Sequence, residues 1–273
     1  MTSSSLLRSF IYLYLVLFFA YLFLPLVFMM AAAFNDSRFP TMLPWQGFTL
    51  RWFQELFADQ LMGRAVWNSI LIGLGVVALS VPIGLAGALV LYNLQSRART
   101  LIYGIMVSPI LTPGVIIGIS TLIFWRQYFG VGGGLMLAVV AQTTFIAAFA
   151  MLLILARLQR FDRTLEEAAL DLGASHTWTF WRITVPFLRP ALLAAALMAF
   201  LQSFENYNTT LFVIGTETTM TLNIASRVRL GLTPAVNAIA VILIALTILG
   251  AIIYELMRRA EVRRRALAAE AAA

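Results

Sequence analysis

"RLQRFDRTLEEAALDLGASHTWTFWRITVP", residues 157–186, is a charged, helix-prone stretch that interrupts an otherwise almost continuously apolar sequence. Gly173 suits a helix C-terminus, where a left-handed backbone conformation is needed. Trp178 and Trp181 lie in a second segment that leads to Pro186. The stretch therefore predicts two short helices around a turn, outside the apolar part of the chain.

The first of these two helices has an apolar ridge of small residues on one face and a hydrated acidic face opposite, because residues three and four apart share a helix face. The ridge consists of Leu165, Ala168, Ala169 and Leu172, and the acidic residues are Glu166, Glu167 and Asp171. Such a ridge either enters the groove of another protein or packs against the chain's own helices, and the composition alone leaves both open.

The sequence around this stretch has the composition of a membrane protein. Of its 273 residues, 61% are hydrophobic and only 11% are charged, roughly half the charged fraction of a soluble domain. A membrane-spanning helix needs about 20 mainly apolar residues, and continuous apolar runs indicate helices rather than a barrel. Six spans are predicted in one transmembrane domain that covers residues 1–273: 10–33, 66–93, 101–125, 134–156, 191–214 and 235–257.

Several kinds of chemistry are excluded by residue types that the sequence lacks. There is no cysteine, so disulfides and thiolate catalysis are excluded, and the single histidine cannot form a histidine metal cluster. All 19 basic residues are arginine, which excludes a P-loop lysine and Schiff-base chemistry. If ATP is used, another chain must therefore hold it.

The arginines are distributed unequally between the two sides of the predicted spans. Thirteen flank one side: Arg8, Arg97, Arg99, Arg157, Arg160, Arg163, Arg182, Arg189, Arg258, Arg259, Arg263, Arg264 and Arg265. Six flank the other side: Arg38, Arg51, Arg64, Arg126, Arg227 and Arg229. The positive-inside rule then predicts that both termini and the 157–186 loop are cytoplasmic. The net charge of +7 thus reflects membrane topology rather than nucleic-acid binding.

Two further segments combine apolar sequence with special residues. Aromatic residues in "PWQGFTLRWFQELF", residues 44–57, recur at helical spacing and predict a helix in the membrane interface, either as an aromatic belt or also as a contact for an external partner. The third span contains Pro109 and Pro113, which kink a helix, and the pair Gly114 and Gly118, which we interpret as close helix packing.

Polar residues cluster in the fifth span, in "LQSFENYNTTLFVIG". A charge at mid-bilayer costs about 2.5–3.5 kcal/mol, so this cluster must face protein or a wet cavity. At helical spacing, Gln202, Glu205 and Thr209 form one line, and Ser203, Asn206 and Thr210 form the adjacent line. The candidate residues for a substrate path are Gln202, Glu205, Asn206, Tyr207, Asn208 and Thr209. The alternatives are a polar clamp to a partner subunit and a simple gate lining.

The spacing within the charged stretch is typical of one family. Its pattern E-A-A-x3-G-x9-I-x-V-P, from Glu167 to Pro186, resembles the EAA motif of permease subunits in type I ABC importers, with Val185 in place of the usual leucine. The resemblance implies the type I importer permease fold and makes the loop a coupling helix that docks on an ATPase subunit. By resemblance, the coupling positions are Glu167, Ala168, Ala169 and Gly173.

Further motifs along nearly the whole chain resemble the permeases of spermidine/putrescine importers, and in particular the second permease subunit of that system. The motifs are "FNDSRF", "WQGFTLRWF", "SPILTPGVIIG" and "LTPAVNAIAVILI". The resemblance implies a bacterial inner-membrane heterodimer with a homologous permease, two ATPase subunits and an extracytoplasmic binding protein. It also implies that this chain carries no cofactor, since ATP and Mg²⁺ would be bound by the ATPase.

The expected function is therefore that of a non-catalytic permease, which couples ATP hydrolysis elsewhere to the uptake of a small cationic solute such as a polyamine. Polyamine permeases typically carry two consecutive acidic residues where this chain has Glu205 and Asn206. One carboxylate beside several amides also suits a monocationic, zwitterionic or opine-like solute. A rival from another class is an integral membrane enzyme that uses Glu205 as acid or base, although no second convergent group lies near it in the sequence.

Overall fold

The computed structural model describes residues 3–94, 96, 98–231 and 233–270, and the regular elements in these ranges are helices. They are α1 (Ser3–Phe34), α2 (Arg51–Ala58), α3 (Gln60–Asn93), α4 (Ala98–Leu111), α5 (Gly114–Phe129), α6 (Leu135–Leu158), α7 (Thr164–Asp171), α8 (His176–Thr179), a π-helical turn (Phe180–Thr184), α9 (Val185–Phe204), α10 (Thr210–Val213), α11 (Met220–Leu230) and α12 (Pro234–Glu270). The predicted all-α fold class is confirmed. Arg97, which was counted toward the more basic side, lies outside the described residues.

The described residues form two compact units, of which the first comprises those up to Gln60 and those from Ile224 onward. In this unit α1 packs on α12, and α12 packs on α2. Only 6% of the most apolar 18-residue segment of α1 is buried by the chain itself. An apolar helix with so little protein around it is suited to lipid, since every backbone polar group in a helix is satisfied internally.

Residues 35–50 of the first unit fold around one asparagine side chain. Asn35 Nδ2 donates to two carbonyl oxygens of this loop, and Asn35 Oδ1 accepts a hydrogen bond of 2.8 Å from Gln46 N. Helix α2 begins only at Arg51, and its Trp52 is buried and donates from Nε1 to the carbonyl oxygen of Asn35 at 2.8 Å. The expectation of one interfacial helix over residues 44–57 is therefore wrong before Arg51, because the loop backbone bonds to Asn35 instead.

The second unit, Leu61–Asn223, is organised around α6. In α6, 67% of the most apolar 18-residue segment is buried. The helices that pack on α6 are α4, α5, α9 and α10. Helix α3 approaches α6 closely at Gly84, where an added Cβ would lie 2.7 Å from Met151 N. Close approach of this kind, through van der Waals contact, holds helices together in lipid. Two clusters of buried side chains result, one including Ile72, Val76, Leu137, Ile146 and Val213, the other Leu91, Met151, Ile154, Leu158 and Leu188.

The predicted third span, 101–125, is broken in two. Helices α4 and α5 meet at an angle of 99° around Thr112 and Pro113. Pro113 has an extended backbone (φ −55°, ψ 133°) and precedes α5. A proline lacks an N–H group and pushes the residue before it away from the helical conformation. The prolines thus end one helix and start another, rather than bending a continuous one.

The predicted fifth span, 191–214, is also interrupted, because α9 ends at Phe204 and the short helix α10 starts at Thr210. The spans 10–33, 66–93 and 235–257 fall within α1, α3 and α12, and 134–156 falls within α6 except for its first residue. Among the described residues, four helices are long and apolar enough to cross a membrane, or five if α4 and α5 count as one span. The count of six stays a prediction.

Candidate functional site

The stretch from Arg157 to Pro186 folds into two helical segments around a turn, as predicted. Gly173 ends the first segment with a left-handed backbone (φ +88°). Around it, Ala174 N donates to Ala169 O at 3.0 Å and Gly173 N donates to Leu170 O at 2.9 Å. This is the hydrogen-bond pattern by which a glycine satisfies the last carbonyl groups of a helix. The turn is therefore specified by the local sequence.

The second segment runs without a break into the membrane-spanning helix that follows it. Ser175 caps α8 by accepting a hydrogen bond of 3.3 Å from Trp178 N. Helix α8, the π-helical turn and α9 form one helix of 29 residues from His176 to Phe204. The π-helical turn ends two residues before Pro186, which cannot donate a backbone hydrogen bond. Such turns are found where the regular hydrogen-bond ladder of a helix is disturbed.

Two arginines near the beginning of this stretch contact neighbouring helices. The Arg163 guanidinium lies 4.2 Å from the ring centroid of Tyr92 on α3, and Arg163 Nη2 donates to Tyr92 O at 3.0 Å. The Arg157 guanidinium lies 4.2 Å from the ring of Phe187 on α9. Each contact combines a cation–π interaction with packing of the side-chain stem. Arg163 thereby connects the start of α7 to α3, and Arg157 connects the end of α6 to α9.

A further hydrogen bond joins the two segments of the stretch directly. Thr184 Oγ1 in the π-helical turn donates to Glu166 Oε1 on α7. Glu166 is half-buried, whereas Glu167 and Asp171 on the predicted hydrated face are exposed. Just before α7, hydrogen bonds from the hydroxyl and the backbone N–H of Thr164 lower the pKa of the exposed Asp162 carboxyl.

An apolar groove of about 750 Å³ lies between α7 and α8. Its lining includes three of the four predicted coupling residues, Ala168, Ala169 and Gly173, together with Leu165, Leu172, Trp178 and Ile183. Glu167 is exposed on α7 outside this lining. Leu172 is 90% exposed and Leu165 is 52% exposed. The two leucines of the apolar ridge are therefore largely exposed, although α7 also contacts α8 and the π-helical turn.

At the other end of the 29-residue helix, the chain leaves the helical conformation after Phe204. The side chain of Asn206 organises the break, since its Oδ1 accepts hydrogen bonds of 3.2 Å from both Thr209 N and Thr210 N. This is how an asparagine caps the first turn of a helix, here α10. The expected lines of polar residues at helical spacing through 202–210 are therefore wrong, because residues 205–209 are not helical.

Gln142, on α6, connects the two sides of this break. Ser203 Oγ donates to Gln142 Oε1 at 2.5 Å, and Gln142 Nε2 donates to Thr210 Oγ1 at 2.8 Å. Thr210 Oγ1 in turn donates to Asn206, with oxygen–oxygen distances of 3.0 Å. Gln142 is 1% exposed. A buried polar side chain whose groups are all satisfied fixes one arrangement of the elements around it.

A cavity of about 340 Å³ lies at this break, and all six predicted substrate-path residues line it. They are Gln202, Glu205, Asn206, Tyr207, Asn208 and Thr209. The facing wall comes from the second broken helix and includes Pro109, Thr112 and Gly114, with Phe145 and Phe149 from α6. Among the described residues around the cavity, Glu205 carries the one carboxylate. Discontinuous helices lining a polar cavity are the usual way in which transporters expose backbone and polar groups within the membrane.

The two walls of the cavity are brought together by the glycine pair of α5. An added Cβ on Gly114 would lie 2.9 Å from Thr209 Oγ1, and one on Gly118 would lie 2.6 Å from Thr209 O. Gly114 and Gly118 therefore pack closely against the segment around Thr209, which agrees with the close packing predicted from the sequence. Gln142 and Thr112 are not among the residues predicted from the sequence, although a glutamine within an apolar span is itself a signal that polar partners lie nearby.

Comparison with known proteins agrees with this architecture. Residues 80–263 match the family described as "Binding-protein-dependent transport system inner membrane component". The putrescine transport system permease protein PotI of Escherichia coli K12 is 33% identical over 258 residues, which cover 92% of this chain and 91% of PotI. The spermidine/putrescine permease PotC of Haemophilus influenzae is 29% identical over 242 residues, which cover 88% of this chain and 93% of PotC.

The fold is similar to that of a bacterial ABC transporter involved in the import of the acidic polysaccharide alginate. That crystal structure superposes with a TM-score of 0.73 at 16% identity, covering 93% of this chain and 98% of the other. The chain therefore belongs to the family of binding-protein-dependent transport system inner-membrane components, and it is a multi-pass, non-catalytic permease subunit of an ABC importer.

Proposed function

We propose that this permease couples ATP hydrolysis by a separate ATPase subunit to the uptake of a small cationic solute, with a polyamine as the leading candidate. The observation that carries the proposal is the continuous helix His176–Phe204, which has the exposed apolar groove at one end and the polar cavity at the other. Movement of a partner bound in the groove is transmitted along this helix to the cavity.

The groove suits an ATPase subunit as its occupant. Leu172 and Leu165 expose apolar surface outside the membrane-spanning segments, where water rather than lipid would otherwise cover it. Ala168 and Ala169 have short side chains, so a partner can approach the α7 backbone closely. Glu167 and Gly173 complete the set of coupling positions, the first as an exposed charge at the rim and the second as the turn that ends α7.

The cavity suits a cation. Glu205 supplies a carboxylate, and the side chains of Gln202, Asn208 and Thr209 add neutral polar groups around it. The relatives PotI and PotC are permeases of putrescine and spermidine/putrescine systems, which supports a polyamine. Asn206 uses its Oδ1 to cap α10. Since it brings no second charge, a monocationic, zwitterionic or opine-like solute is the alternative substrate class.

The assembly that goes with this function is a heterodimer with a homologous permease, two ATPase subunits that bind ATP and Mg²⁺, and an extracytoplasmic binding protein. The family description, binding-protein-dependent transport, supports the last of these partners. The excess of arginine on one side supports a topology with both termini and α7 in the cytoplasm. The alternative of a membrane enzyme using Glu205 is set aside, because the family consists of transport components.

The test is ATP-dependent uptake by the complete complex in proteoliposomes, measured together with ATPase activity. Ala168→Arg places a charge in the groove and is expected to abolish uptake of labelled putrescine, whereas Thr177→Arg, on the exposed surface of α8 outside the groove, leaves it unchanged. Undiminished uptake by Ala168→Arg would refute the coupling role. Glu205→Gln is expected to reduce uptake of cations and not of neutral solutes, and equal loss for both would refute a charge-selective cavity.

A further inference from the structure

A second polar cavity, of about 430 Å³, lies away from the cavity at Glu205, where α3 and α6 end and α4 begins. Its polar lining includes the guanidinium groups of Arg99 and Arg163, the amide of Gln159 and the hydroxyl of Ser96. None of the described residues that line it is acidic. Two cations and two neutral hydrogen-bonding groups without a carboxylate make a site for an anion.

One of the two arginines is already held in place for such a ligand. Arg163 lies on the Tyr92 ring and donates one hydrogen bond to Tyr92 O. A guanidinium has five N–H donors in a fixed planar fork, so this bond leaves others to point into the cavity. A planar guanidinium matches the oxygens of a phosphate group in geometry as well as in charge. Arg99 is exposed and free to adjust its position.

We propose that this cavity binds the phosphate headgroup of an anionic membrane lipid. The apolar helices α3 and α6 end at Asn93 and Leu158, so the cavity lies at the level of the lipid headgroups. Basic pockets between membrane helices are a recognised means of binding such headgroups. Since Arg163 immediately precedes α7, a bound lipid restrains the start of that helix; only this consequence rests on the proposed function.

The proposal is tested with the purified full chain in a neutral detergent, titrated with phosphatidylglycerol, phosphatidylcholine or inorganic phosphate. Bound lipid is counted by native mass spectrometry and the melting temperature is followed in parallel. We expect saturable binding of phosphatidylglycerol and none of phosphatidylcholine. Arg99→Gln removes one cation and is expected to weaken binding about fivefold, and Gln159→Glu, which puts a carboxylate into the cavity, is expected to abolish it.

Arg189→Gln on exposed α9 is the matched charge control. Lipid binding that is equal in Arg99→Gln, Gln159→Glu and Arg189→Gln would overturn the proposal. Protection by inorganic phosphate equal to that by phosphatidylglycerol would overturn the assignment to a lipid.

Discussion

Gln142 and Ser203 are joined by a hydrogen bond of 2.5 Å between the Oε1 atom of the first and the Oγ atom of the second. The bond connects the middle of α6 with the last turn of α9, directly before the chain leaves the helix. Because Gln142 also donates to Thr210 beyond the break, one side chain sets the distance between the two ends of the interrupted span.

Replacing Gln142 by leucine is expected to destabilise the protein and to distort the cavity. The hydroxyl of Ser203, which is 4% exposed, would lose its acceptor, and a buried polar group left without its partner costs about 1–3 kcal/mol. The measurement is the apparent melting temperature in detergent, together with uptake by the complex. Gln127→Leu, at an exposed glutamine of α5, is the control. Equal melting temperatures for the two variants would contradict the role given to Gln142.

Asn206→Asp is expected to keep the fold and to change substrate preference. An aspartate accepts the same hydrogen bonds from Thr209 N and Thr210 N, and a negative charge is favourable at a helix N-terminus. It also adds a second carboxylate beside Glu205, which favours dications over monocations by roughly fivefold if the charges interact through water at about 4 Å. Competition between putrescine and a monoamine for uptake measures this shift.

Asn206→Ala is the companion variant, because it removes the cap without adding charge. It is expected to lower stability by about 1 kcal/mol and to leave the preference between dications and monocations unchanged. A shift toward dications in the alanine variant, or none in the aspartate variant, would show that charge at this position does not select the substrate.

Gly118→Ala is expected to push α5 away from the wall that contains Thr209. The new Cβ would lie 2.6 Å from Thr209 O, a backbone atom that cannot move by itself. Overpacking of this kind costs about 1–3 kcal/mol. Gly104→Ala is the control, since a Cβ there meets open space and alanine favours the helix by up to about 1 kcal/mol. The melting temperatures of the two variants should therefore change in opposite directions.

The turn before α7 is expected to loosen at low pH. Hydrogen bonds from Thr164 lower the pKa of Asp162 below its ordinary value of 3.8. The carboxylate therefore stabilises the turn fully above that ordinary value, and the contribution is lost as the pH falls through the lower value of the folded protein. Hydrogen-exchange protection of the α7 amides, compared between pH 6 and pH 3, measures the loss. Asp162→Asn keeps an acceptor without titrating, so this component of the pH dependence should disappear.

The helices around Gly173 could be predicted closely, because a local rule determines them: a glycine with a left-handed backbone ends α7 whatever surrounds it. The polar cluster at 202–209 likewise predicts a surface that faces protein or a cavity, and all six residues line one cavity. Both results depend on properties of short segments.

The interruptions of the third and fifth spans could not be predicted in the same way, because they depend on contacts between residues that are distant in the sequence. Pro109 and Pro113 indicated a kink, but the 99° bend also follows the packing of Gly114 and Gly118 against Thr209. Similarly, the apolar sequence of the fifth span, with its few polar residues, is compatible with a continuous helix. The break after Phe204 involves the bonds of Asn206 to its own chain and of Gln142 from α6, which no local pattern contains.

The helix from His176 to Phe204 is about 43 Å long, since its 29 residues each rise 1.5 Å. If one end is the pivot, a tilt of about 4° displaces the other end by roughly 3 Å, comparable with the length of a single hydrogen bond. Ser203 is one residue from that far end. An angular change too small to alter the packing of the helix along its length is therefore enough to make or break the contact between Ser203 and Gln142.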